Sequence, residues 1–139
     1  MKVLTIKQPW AGLIISGHKG IENRSWSPGK RLNIDDELLI HSSVAIDKDA
    51  FELDHVWEIV EDDKSGLYTA LGRIIGKVIY KGCVSSELDP RVQKYDPQQL
   101  WYYGDKGWLL SNPVEADEPK TEIKGRLGVW NYQGVGNGS

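Results

Sequence analysis

Residues 71–84 read as one long β-rich run, yet glycine interrupts it at Gly72, Gly76 and Gly82. A glycine inside a strand marks a bulge, a bend or a close backbone approach. Three in one run predict a strongly coiled strand of the kind that crosses a small barrel. The rest of the chain supplies short partners for it. Val and Ile predict a first strand at residues 3–6, and further strands follow at 21–26, 37–43, 107–111 and 126–132. Pro9 stands where a helix can begin, Trp10, Leu13 and Ile14 keep helical spacing, and Gly17 is a stop. Asp47 is expected to cap a second helix whose buried stripe is Ala50, Leu53, Trp57 and Val60. Residues 96–101 suggest a third, short helix capped by Asp96. Many short strands with two or three short helices predict an α+β fold, a small curved β-barrel with helical decoration.

With 139 residues the chain suits one domain, taken as 1–132, followed by a flexible glycine-rich tail at 133–139. No apolar run reaches membrane-spanning length, so no membrane partner is expected. The N-terminus meets lysine and proline too early for a secretory signal, and Cys83 is the only cysteine. A cytoplasmic location follows, with Cys83 a buried structural thiol. His18, His41 and His55 show no metal-ligand spacing, and neither a P-loop nor a dinucleotide fingerprint occurs. No metal and no cofactor is expected. The net charge of −3 means that a nucleic-acid site must be a local basic patch in an acidic surface. Six tryptophans against one phenylalanine favour polar-edged rims and pockets.

The segment Gly17-His18-Lys19-Gly20-Ile21-Glu22-Asn23-Arg24 carries the densest chemistry. On an extended strand Glu22, Arg24 and Trp26 share one face, opposite Ile21, Asn23 and Ser25. Arg24 suits phosphate, Trp26 suits a base, and Glu22 can act as acid, base or orienting group. A surface ion pair of Lys19 or Arg24 with Glu22 reads the same residues without function. Trp10, at helical spacing from Leu13 and Ile14, suits core packing as well as ligand contact. His41 reads either as an acid–base group or as a satisfied strand histidine.

Leu4-Thr5-Ile6-Lys7-Gln8-Pro9-Trp10-Ala11, then Gly17-x-Lys19-x-x-Glu22-x-Arg24, then Leu39-Ile40-His41-Ser42-Ser43, resemble the ASCH domain family of the PUA-like superfamily. Gly107-Trp108 and Gly125-x-x-Gly128-x-Trp130 fit its C-terminal strands more loosely. The resemblance implies a PUA-like pseudobarrel with a cleft beside the first helix that binds RNA or a small nucleotide. Lys19 and Arg24 carry over from the family directly, and the ligand contacts expected in the cleft are Lys7, Gln8, Trp10, Lys19, Arg24, Trp26, His41 and Ser42. If the chain is an enzyme, Lys19, Glu22 and Arg24 are its catalytic residues. Two hydrolytic alternatives stand beside binding: a metal-independent ribonuclease, and an amidohydrolase of acylated nucleosides such as N4-acetylcytidine. In the amidohydrolase branch a threonine nucleophile matches Glu22, so here a carboxylate replaces the hydroxyl.

Overall fold

A computed structural model describes residues 1–117 and 122–134. Its strands are β1 (Lys2–Gln8), β2 (Ile21–Arg24), β3 (Glu37–Ile46), β4 (Arg73–Val84), β5 (Lys106–Glu115) and β6 (Val129–Asn131). Its helices are α1 (Trp10–Ile15), α2 (Asp54–Val60) and α3 (Arg91–Tyr95), with 3₁₀ turns at Gly29–Arg31 and Lys48–Glu52. The strands form one curled sheet in the order β2-β5-β4-β3-β1-β6, a half-barrel of the expected α+β kind. Only the β1–β3 pairing is parallel, with Thr5 opposite His41.

Alternation along β1 sends Leu4, Ile6 and Gln8 into the barrel and leaves Thr5 and Lys7 on the outer face. The interior is filled by Leu4, Ile6, Ile14, Leu38, Ile40 and Trp108. Burying each such side chain stabilises the fold by about 1.5–3 kcal/mol. Glycine in β4 acts as anticipated. A Cβ on Gly76 would lie 2.5 Å from the Val114 carbonyl oxygen and 2.8 Å from Ile15 Cδ1. Gly82 sits at φ +114° where the β4–β5 register shifts. Gly17, at φ +87°, follows the end of α1.

Five elements differ from expectation. The predicted helix after Asp47 breaks at Leu53 into a 3₁₀ turn and α2, which shifts the helical phase. Val56 is therefore buried, while Leu53 and Trp57 are exposed. Asp47 makes no side-chain cap. Residues 96–101 are not helical. The helix is α3, just upstream, and the buried Asp96 carboxylate accepts the N–H groups of Leu100, Trp101 and Tyr102 in the turn that follows. β2 ends at Arg24, so Trp26 leaves the strand, and β6 is only Val129–Asn131. β5 runs past Asn112-Pro113, because Asn112 adopts φ +52° and β4 shifts register there. Cys83 is half-buried rather than buried, and burial pushes its thiol up. Most of the expected tail, residues 135–139, lies outside the described residues.

Candidate functional site

Strand β2 pairs with β5 so that Glu22 lies opposite Trp108, and Glu22 and Arg24 point to the barrel interior. Arg24 Nε donates to Glu22 Oε2 at 2.9 Å. Arg24 Nη2 crosses to β1 and donates to the Thr5 carbonyl at 2.8 Å. It can do so because β6 pairs with β1 only at Lys2, Val3 and Leu4, one residue short of Thr5. Arg24 thus closes the seam between the sheet's first strand and β1.

Lys19 enters the same cluster from the loop after α1. Its Nζ lies 4.0 Å from Glu22 Oε1, donates to the Ile21 carbonyl, and stands 5.6 Å from the centre of the Trp10 ring. Burial lowers the Lys19 pKa to about 8, against the raising effect of the Glu22 and Asp96 carboxylates, with Arg24 lowering it further. Two cations share one carboxylate in a desolvated place, an arrangement that surface ion pairs lack. Side-chain exposure falls from 24% at Arg24 to 8% at Glu22 and 2% at Lys19. Arg24 is the member that reaches solvent. Trp10 is fixed beside them: its Nε1 donates to Asp47 Oδ2 at 2.9 Å, and its ring meets Trp101 and Tyr103 edge-on. Asp47, read as a helix cap, is therefore the anchor of the Trp10 indole, and half-exposed Tyr103 is a neighbour that the sequence did not single out.

The structure brings together Trp10, Lys19, Glu22 and Arg24, and separates the other expected ligand residues from them. Gln8 is fully buried. Its Nε2 donates to the Leu67 and Ala70 carbonyls and its Oε1 accepts the Gly12 N–H, so it fastens the 67–70 loop to α1 and has no group left for a ligand. Ser42 is buried and donates to the Arg73 carbonyl. Trp26 packs edge-on against Trp108 at 4.9 Å, and its carbonyl accepts the Trp108 Nε1–H. Lys7 and His41 belong to the outer face of the sheet. Trp130 Nε1 donates to Thr5 Oγ1 at 3.0 Å, Thr5 Oγ1 lies 3.2 Å from His41 Nδ1, and His41 Nε2 lies 2.6 Å from the Ile123 carbonyl. A carbonyl only accepts, so Nε2 carries the proton and Nδ1 accepts from the Thr5 hydroxyl. Burial lowers the His41 pKa, which keeps the ring neutral. No group of three or more potential metal ligands stands together among the described residues. No described helix is long and apolar enough to cross a membrane.

The profile of the ASCH domain matches residues 4–120. Solved structures of ASCH from Zymomonas mobilis share the fold. The protein itself superposes with a TM-score of 0.59 at 12% identity, covering 95% of this chain and 87% of that one. Its serine-to-alanine variant gives 0.58, at 12% identity over 95% and 88%. A tyrosine-to-phenylalanine variant gives 0.54, at 12% identity over 95% and 90%. At that identity the likeness is one of architecture. No curated protein matches the chain by sequence.

Proposed function

The chain belongs to the ASCH domain family, and from that premise we propose that it binds single-stranded RNA or a modified nucleotide at the seam between β2 and β1. The observation that carries this is the buried Lys19–Glu22–Arg24 cluster whose one solvent-reaching member is a guanidinium. Glu22 and the Thr5 carbonyl fix Arg24 through Nε and Nη2, while Nη1 makes no hydrogen bond among the described residues. A pre-oriented guanidinium with a free N–H edge suits phosphate, and it loses little entropy when one arrives. Trp10, whose ring centre lies 5.6 Å from Lys19 Nζ, and its neighbour Tyr103 supply aromatic surface next to the cluster. Stacking of a base there contributes roughly 1–3 kcal/mol, enough to offset an acidic net charge. With Cys83 the only cysteine, the reducing cytoplasm is the compartment we assign.

Fluorescence anisotropy with labelled single-stranded RNA tests the proposal. Arg24→Ala should weaken binding and reduce the salt dependence by about 0.7, the slope for one phosphate contact on a single strand. Unchanged affinity in that variant removes the seam from consideration.

A hydrolytic reading rests on one separate feature, the burial of Lys19 beside Glu22 and Trp10, which lowers its pKa to about 8. At pH 7 roughly one Lys19 in ten is then a neutral amine; because its side chain is only 2% exposed, a ribose 2′-hydroxyl or a water must enter the cluster past Arg24 to give it a proton, and Arg24 then faces the developing negative charge. Metal-free incubation with RNA and, in parallel, N4-acetylcytidine distinguishes the two hydrolases. Turnover should rise with pH through about 8 and vanish in Lys19→Ala. Turnover that survives Lys19→Ala excludes this base.

A further inference from the structure

We propose that the outer face of β1 carries a second subsite, for the phosphate and base of the neighbouring nucleotide in the same strand. This rests on the reading of the seam as a nucleotide site. A cavity of about 400 Å³ opens on that face, lined by Thr5, His41, Val44, Lys124, Arg126 and Leu127. Its floor is already satisfied, because Thr5 and His41 bond each other, Trp130 and Ile123. What remains for a ligand is two cations and two apolar side chains. Lys124 and Arg126 are exposed and form no ion pair among the described residues. Val44 is 78% exposed and Leu127 99%. Exposed cations beside uncovered apolar surface match a ligand that is anionic at one end and flat and apolar at the other.

The segment that carries these residues is held in place. Ile123 N–H donates to the Gly72 carbonyl at 2.7 Å, and the Ile123 carbonyl takes His41 Nε2. Gly125 lies directly on the floor, where a Cβ would come within 2.9 Å of both His41 Cε1 and Thr5 Oγ1. Lys124 and Arg126 flank it in sequence. Thr5 is also the residue that joins the two places. Its carbonyl holds Arg24 in the seam and its hydroxyl forms the cavity floor. Lys7, two residues on, is exposed on the same outer face. On this proposal a phosphodiester backbone leaving Arg24 rounds β1 at Thr5 and runs along the outer face past Lys7, Lys124 and Arg126, on a protein whose net charge is −3. Such a path makes the preferred ligand an oligonucleotide and disfavours a free nucleoside.

The test is anisotropy with labelled oligouridylates from the mononucleotide to the octamer, on wild type, Arg24→Ala and the double variant Lys124→Ser/Arg126→Ser. Both replaced residues of the double variant are exposed, so the fold should be unaffected, and circular dichroism checks it. Wild-type affinity should climb with length. The double variant should bind the mononucleotide as wild type does and lose about tenfold on the octamer, with a salt slope lower by about 1.4 for two phosphate contacts. A double variant with wild-type affinity at every length overturns the subsite and leaves the seam standing if Arg24→Ala still weakens binding. Loss in the double variant with none in Arg24→Ala overturns the seam instead. No binding by wild type at any length overturns both.

Discussion

Replacing Lys19 with methionine should make the protein more stable at neutral pH and remove a rise in stability that the wild type shows on going alkaline. Burial lowers the folded-state pKa of Lys19 from 10.5 to about 8. The unfolded chain keeps that proton up to about pH 10.5, whereas the folded chain releases it near pH 8. Between those values the unfolded state binds more protons, so stability increases with pH. A shift of this size corresponds to about 3 kcal/mol, and the part recovered between pH 7 and pH 10 is about 2–3 kcal/mol. That is a large share of the 5–15 kcal/mol typical of a domain. Methionine has similar length and an adaptable apolar body, and Glu22 keeps its bond to Arg24. Tyr80 is raised to about 12 by burial, and Cys83 is raised as well, so both oppose the trend at high pH. They are common to the two proteins and cancel in the difference. Urea unfolding at pH 7, 8, 9 and 10, followed by tryptophan fluorescence, yields that difference directly. If wild type minus Lys19→Met stays flat within about 0.5 kcal/mol, the ammonium is not desolvated as argued, and the hydrolytic reading loses its base as well.

Two packing predictions accompany it. Gln8→Ala strands the Leu67 and Ala70 carbonyls and the Gly12 N–H, so denaturant unfolding should show a loss of about 3 kcal/mol or more; a loss under 1 kcal/mol would mean that water replaces the amide. Gly76→Ala drives a methyl into the Val114 carbonyl and Ile15, which should lower stability by about 1–3 kcal/mol in the same assay; wild-type stability there would mean that β4 and β5 separate freely.

The local part of the site was legible because strand alternation is a local rule. It put Glu22 and Arg24 on one face before any tertiary contact was known, and the loop geometry then delivered Lys19. The glycines of β4 were likewise readable, since a missing Cβ has a local meaning. The roles of Gln8, Ser42 and His41 were not decidable from the sequence, for a shared reason. A polar residue in a strand carries no mark of whether its partner is a ligand or a distant backbone group, and the partners here lie at Leu67, Arg73 and Ile123. Asp47 and Asp96 show the same ambiguity from the other side. Each has the composition of a helix cap, but one holds an indole and the other a turn. Nothing in the sequence near Trp26 signals that β2 stops two residues earlier and turns its indole onto Trp108.

The shortness of β6 has a mechanical meaning. Where the ladder along β1 gives out at Leu4, the next rung is a side chain. A backbone rung is part of a cooperative row and cannot be exchanged singly, whereas a guanidinium can be re-aimed by rotating its own torsions. The barrel is therefore latched at Thr5 by the same group that we propose as the phosphate contact, and on that reading grip on a ligand and tension across the seam are set by the same side-chain torsions.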